Sequence, residues 1–80
     1  MFKAKVTVTL KKSILDPQGS TVERALKSMG YPVESVRIGK YMEVVLAEED
    51  KNKAEGLMHE ICSKLLSNPV IEDYSFELEG

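Results

Sequence analysis

A chain of 80 residues makes one domain and leaves no room for a second. Lys and Arg number 11 against 13 Asp and Glu, for a formal net charge of −2, which excludes the basic footprint of a nucleic-acid or anionic-lipid binder. The single cysteine, Cys62, excludes an intramolecular disulfide and a multi-thiolate metal site.

Residues 2–10 alternate without a break: Phe2, Ala4, Val6, Val8 and Leu10 on one side, Lys3, Lys5, Thr7 and Thr9 on the other. Period two over that length predicts a strand with one buried face. No apolar signal core and no run of membrane-spanning length is present, so a soluble, unexported, cytoplasmic protein is expected. A helix follows, opened either by Asp16 as N-cap with Pro17 at its first position or, one turn later, by a Ser20–Glu23 capping box. Val22, Ala25, Leu26 and Met29 then fall at i, i+3, i+4 and i+7, predicting a buried stripe. Gly30 is a natural stop.

Residues 33–39 and 41–48 read as two alternating strands around Gly39-Lys40, which predicts a tight hairpin. Tyr41 and Val45 leave the nominal outer face of the second of them partly apolar. The next helix carries Ala54, Leu57, Met58, Ile61, Cys62, Leu65 and Leu66 on one face; Asp50 or Asn52 caps its start and Asn68-Pro69 ends it. Cys62 on that stripe reads as a small core hydrophobe. Residues 70–78 predict a last strand with Tyr74, Phe76 and Leu78 inward, and Lys3 and Lys5 of the first strand opposing Glu77 and Asp73 on the open face. The order β-α-β-β-α-β implies an α+β, ferredoxin-like fold: four antiparallel strands with two helices on one face.

Catalytic constellations are absent from this pattern. His59 is the only histidine and lies among exposed helix residues, short of the three or four ligands of a metal site. Asp16 already has a capping role. Gln18-Gly19 at a helix start offers backbone N–H groups to an anion, but without the Lys-Ser or Lys-Thr of a phosphate loop. Arg37 and Lys40 read as edge charges that discourage strand aggregation or as an interface contact. Tyr41 and Tyr74 suit either a core edge or a half-wet interface. The first strand presents no aromatic ring on the open face, unlike an RNA-recognition sheet.

Three stretches, LDPQG (15–19), VRIGKYM (36–42) with Glu43, and NPVIEDY (68–74), in this order and spacing resemble the PurS family, the small subunits of phosphoribosylformylglycinamidine synthase. The resemblance covers essentially the whole chain as a single domain, 1–80. It implies a non-catalytic subunit that binds no cofactor itself, in a complex that uses ATP and Mg. It further implies a homodimer or tetramer bridging a large synthetase subunit (PurL) and a glutaminase subunit (PurQ), and helping to keep ammonia from solvent, with neither nucleic acid nor membrane as a partner. The partner contacts expected on this basis are Arg37, Lys40, Tyr41, Asp73 and Tyr74, then Asp16, Gln18 and Gly19. The rival reading is a stand-alone small-molecule-binding regulatory dimer of the same fold; a free-standing enzyme comes third.

Overall fold

The computed structural model describes all 80 residues. Strand β1 (Phe2–Leu10) is followed by helix α1 (Pro17–Ser28), strand β2 (Gly39–Leu46), helix α2 (Lys51–Ile61), a π-helical turn (Cys62–Leu66) and strand β3 (Glu72–Glu79). The strands form one antiparallel sheet in the order β2-β1-β3. Register pairs Val6 with Met42 on one side and with Phe76 on the other. The even-numbered residues of all three strands therefore share a face, as the alternation predicted.

That face meets α2. Ala4, Val6 and Val8 are sealed against Met58 and Cys62, with Met42, Val44, Leu46, Tyr74, Phe76 and Leu78 packed around them. Asp50 is the cap of α2, accepting from the N–H groups of Asn52 and Lys53. The α2 stripe is narrower than predicted: Ala54, Met58 and Cys62 are buried, whereas Leu57 and Leu65 face solvent, Leu65 at 81% exposure. The π turn adds a residue to the helix repeat, so beyond Cys62 it is Leu66, and not Leu65, that packs against the core. Ser67 ends the turn, its hydroxyl and N–H both donating to the Cys62 carbonyl.

On the open face, Lys3 stands opposite Glu79 and Lys5 opposite Glu77. The ion pairs formed are Lys3–Glu43, Lys5–Glu79 and Lys11–Asp73. The expected order is shifted by two residues, since Glu77 faces Lys5 and Lys3 faces Glu79. Asp73, however, stands across from Thr9 and turns to Lys11. β3 starts at Glu72, later than expected, and Val70 lies outside the sheet at 78% exposure.

Three expectations fail in the other half of the chain. The sheet has three strands, because residues 33–38 pair with nothing and Gly39-Lys40 is not a hairpin turn. A two-residue hairpin of the favoured type needs positive φ at its first central position, and Gly30 alone has positive φ. Gly39 is glycine for another reason: a β-carbon there would strike the Val8 carbonyl and the Thr9 methyl. The chain runs straight from residue 33 into β2. Finally, α1 does not lie on the sheet. Val22, Ala25 and Met29 are exposed, Met29 at 67%, and Leu26 is only half-buried.

The result is a long molecule, 50 × 25 × 14 Å, with a Cα radius of gyration of 15.9 Å. A compact chain of this length would have about 12 Å. No helix is long and apolar enough to cross a membrane.

Candidate functional site

Asp16 joins the two halves. Pro17 supplies the preset φ of a first helical residue, and Asp16 caps α1 by accepting from the Gly19 N–H through Oδ1 at 2.9 Å. The Asp16 cap prevails over the Ser20 alternative. Its other oxygen, Oδ2, accepts from the Ile38 N–H at 2.9 Å, 22 residues further along the chain. The Ile38 and Gly19 N–H groups, with the Arg37 guanidinium nearby, hold the Asp16 carboxyl below its ordinary value. Gly19 fits this clasp because it lacks a side chain: a β-carbon would strike the Val36 carbonyl and the Asp16 carboxylate.

Beside the clasp is a hollow of about 290 Å³ at the end of the sheet that α2 does not reach. Val8, Leu10 and Ile38 form its apolar floor, and Asp16, Gln18, Lys40 and Glu72 form its rim. Lys40 Nζ lies 3.8 Å from Glu72 Oε2, so the rim cation already has an anionic neighbour. Both Asp16 oxygens are engaged as well. The hollow therefore shows no free charge of either sign aimed inward, and it suits an apolar or uncharged group.

The expected contact residues do not form one patch. Asp16, Gln18, Gly19, Arg37 and Lys40 gather around the clasp and hollow. Tyr41 is on the opposite, open face, 58% exposed, with its hydroxyl donating to Glu43 at 2.9 Å. That hydrogen bond, then Lys3, keeps the Glu43 carboxyl below its usual value. Asp73 is at the edge of the same face, beside Lys11. Tyr74 faces the helix side, where its hydroxyl shares a 2.9 Å hydrogen bond with His59 Nδ1.

That last pair escaped sequence reasoning. His59 also packs edge-on to Phe76, with ring centroids 4.8 Å apart. Tyr74 and Phe76 are two apart on a strand, and His59 is one helical turn beyond Glu55, so only the helix–sheet packing brings them together. Cys62 is buried, and burial pushes its thiol pKa up, which makes it a poor nucleophile. No three His, Cys, Asp or Glu side chains converge in a way that could hold a metal ion.

The comparisons agree with the resemblance. Residues 3–80 match the family model "PurS: Phosphoribosylformylglycinamidine (FGAM) synthase". The chain is 55% identical to the phosphoribosylformylglycinamidine synthase subunit PurS of Bacillus subtilis over 80 residues, spanning 99% of this chain and 94% of that protein. Among solved structures, a crystal form of B. subtilis PurS superposes with a TM-score of 0.88 at 54% identity over all of both chains. A chain in the structure of PurLQS from Thermotoga maritima superposes with a TM-score of 0.88 at 35% identity, covering 98% of this chain and 96% of that one.

Proposed function

The chain belongs to the PurS family of subunits of phosphoribosylformylglycinamidine synthase, a ligase of purine biosynthesis, and from that premise we propose that it serves the complex as a homo-oligomeric bridge with no chemistry of its own. The large synthetase subunit, PurL, takes the ATP, the Mg and formylglycinamide ribonucleotide. The glutaminase subunit, PurQ, releases ammonia from glutamine. This chain holds the two together in the cytoplasm, with ammonia passing between them out of contact with water. Enclosure matters because ammonia in neutral water is mostly protonated and no longer nucleophilic.

The observation that carries this reading is the open half of the molecule. Only 8 of 80 residues are buried, and most of the apolar stripe of α1 is left exposed. Such a chain has too little core to stand alone and a ready surface for others. The side chains support a bridging role in a second way: every acid near the hollow is committed to a cap or an ion pair, and the one thiol is buried.

Arg37, Lys40, Tyr41, Asp73 and Tyr74 are the proposed partner contacts, with Asp16, Gln18 and Gly19 as second choices. Reconstitution tests the reading. PurL and PurQ mixed with this chain are expected to give glutamine-dependent product far faster than the same pair without it, while ammonia-dependent product changes little. Equal glutamine-dependent rates would overturn the bridge. Unchanged assembly and activity with Arg37→Ala plus Tyr41→Ala would overturn the contact assignment alone.

A further inference from the structure

Resting on the bridging reading above, we infer that the outer edge of β3 takes up an extended, basic segment of a partner subunit as an added strand. An arginine of that segment lies against the rings of Tyr74 and Phe76.

Strand parity decides what this edge has to offer. Lys11 donates its N–H to the Ile71 carbonyl. In the same antiparallel ladder, the odd-numbered residues of β3 therefore exchange hydrogen bonds with β1. Tyr74, Phe76 and Leu78 turn their N–H and C=O groups the other way, to an edge with no strand beside it. Exposed edges are usually blunted by lysine, proline, a bulge or short length. β3 is eight residues long, reads EDYSFELE and holds neither lysine nor proline. Its register with β1 runs unbroken from Leu10–Glu72 to Lys3–Glu79. Charge alone guards the edge, and that charge has one sign: Glu72, Asp73, Glu77 and Glu79.

The same charge selects the occupant. Glu72, Asp73 and Glu79 each have a lysine of this chain, in turn Lys40, Lys11 and Lys5. Glu77, on the open face, and Glu55, on α2, enter no ion pair. They flank the edge, one from each face of the sheet. On the helix side, Glu55, His59, Tyr74, Ser75 and Phe76 line a recess of about 390 Å³. The rings of Tyr74 and Phe76 lie within 4° of parallel, centroids 6.5 Å apart, and the Tyr74 hydroxyl is already engaged by His59. Aromatic surface and one free carboxylate remain, which suits a cation flat enough to stack, a guanidinium. An added strand sends alternate side chains to opposite faces. An arginine on its helix side thus meets Glu55, and a lysine or arginine beside it on the open face meets Glu77. A second copy fits poorly. Its own β3 would set the same four acids against these, and its β2 edge would join head to tail into an open fibre.

Amide exchange read residue by residue tests this in the full-length chain, alone and mixed with PurL and PurQ. Alone, the Tyr74, Phe76 and Leu78 amides should exchange fast, and those of Ser75 and Glu77, bonded to β1, slowly. In the complex the three fast amides should slow by about tenfold or more. Glu55→Lys with Glu77→Lys, both at exposed positions, should remove that protection and weaken assembly by at least about tenfold. Glu55→Gln with Glu77→Gln should weaken it less. Assembly unchanged by the charge reversal would overturn the basic occupant. Protection of the three amides in the chain alone would put a second copy on the edge and overturn the inference. An assembled complex in which they still exchange fast would overturn it too, and leave the bridge standing. Failure of the unsubstituted chain to assemble with PurL and PurQ would overturn both. The exchange pattern of the unsubstituted chain decides even where a lysine variant misfolds.

Discussion

Two halves of this molecule carry apolar stripes of similar length and meet opposite fates. In α2, Ala54, Met58 and Cys62 disappear beneath the even face of the sheet. In α1, Val22, Ala25 and Met29 remain in water. The packed half is held by close contact, and the open half by directed polar bonds: Asp16 to Gly19 and Ile38 within it, Lys40 to Glu72 at its junction with β3. Periodicity reports that a helix has something to cover. It does not report whether the cover comes from the same chain.

The contrast breaks first at its packed end. Met58 is the largest fully buried side chain, so Met58→Ala should cost about 2–5 kcal/mol in urea unfolding. A smaller loss would mean that the α2 interface is itself loosely packed. In the open half, Val22→Ser with Met29→Ser discriminates more sharply. Surface substitutions usually change stability by less than about 0.5 kcal/mol. If a second copy covers the stripe, the pair should cost on the order of 3 kcal/mol and abolish any dependence of Tm on protein concentration.

Gly19→Ala probes the joint between the halves. The new methyl meets the Val36 backbone and the Asp16 carboxylate, neither of which can yield without opening the clasp. A loss of about 1–3 kcal/mol is expected, with faster amide exchange in α1 than in α2. The smallest effect is a pH dependence. The folded-state pKa of Asp16 is lowered, so its stabilising contribution is complete above the unfolded value, roughly pH 4, and is lost as pH falls through the folded one. Asp16→Asn should therefore lower Tm most at neutral pH, and the gap to the unsubstituted chain should close on acidification. A gap independent of pH would show that the cap, and not the charge, is what Asp16 contributes.

Much of this was legible in the residues. The alternation of Phe2 to Leu10 fixes the central strand and its buried face, and Asp16-Pro17 and Asp50 announce two helix starts. Gly39-Lys40 misled because glycine has two uses in a strand pattern, a turn that needs positive φ and a close backbone approach that needs no side chain. The local pattern is the same for both, and only the Val8 carbonyl distinguishes them. Leu65 leaves the α2 stripe at a π turn that no residue type signals. Of the expected contacts, those in LDPQG and VRIGK meet around the Asp16 clasp and its hollow, but Tyr41, Asp73 and Tyr74 scatter because strand parity sends neighbours to opposite faces. His59 and Tyr74 pair through tertiary packing alone.

The Asp16 carboxylate has a consequence for how the molecule opens. By accepting from Ile38 as well as Gly19, it closes a covalent chain segment of 22 steps into a ring with a polar fastener. Segments closed in this way lose and regain their structure as units, since no part inside the ring gains much freedom until the fastener parts. Hydrogen exchange across residues 17–38 should then be governed by one opening event, set by a single carboxylate, while the sheet and α2 stay shut. The part of the chain with the least buried surface is in this sense the part with the most discrete switch.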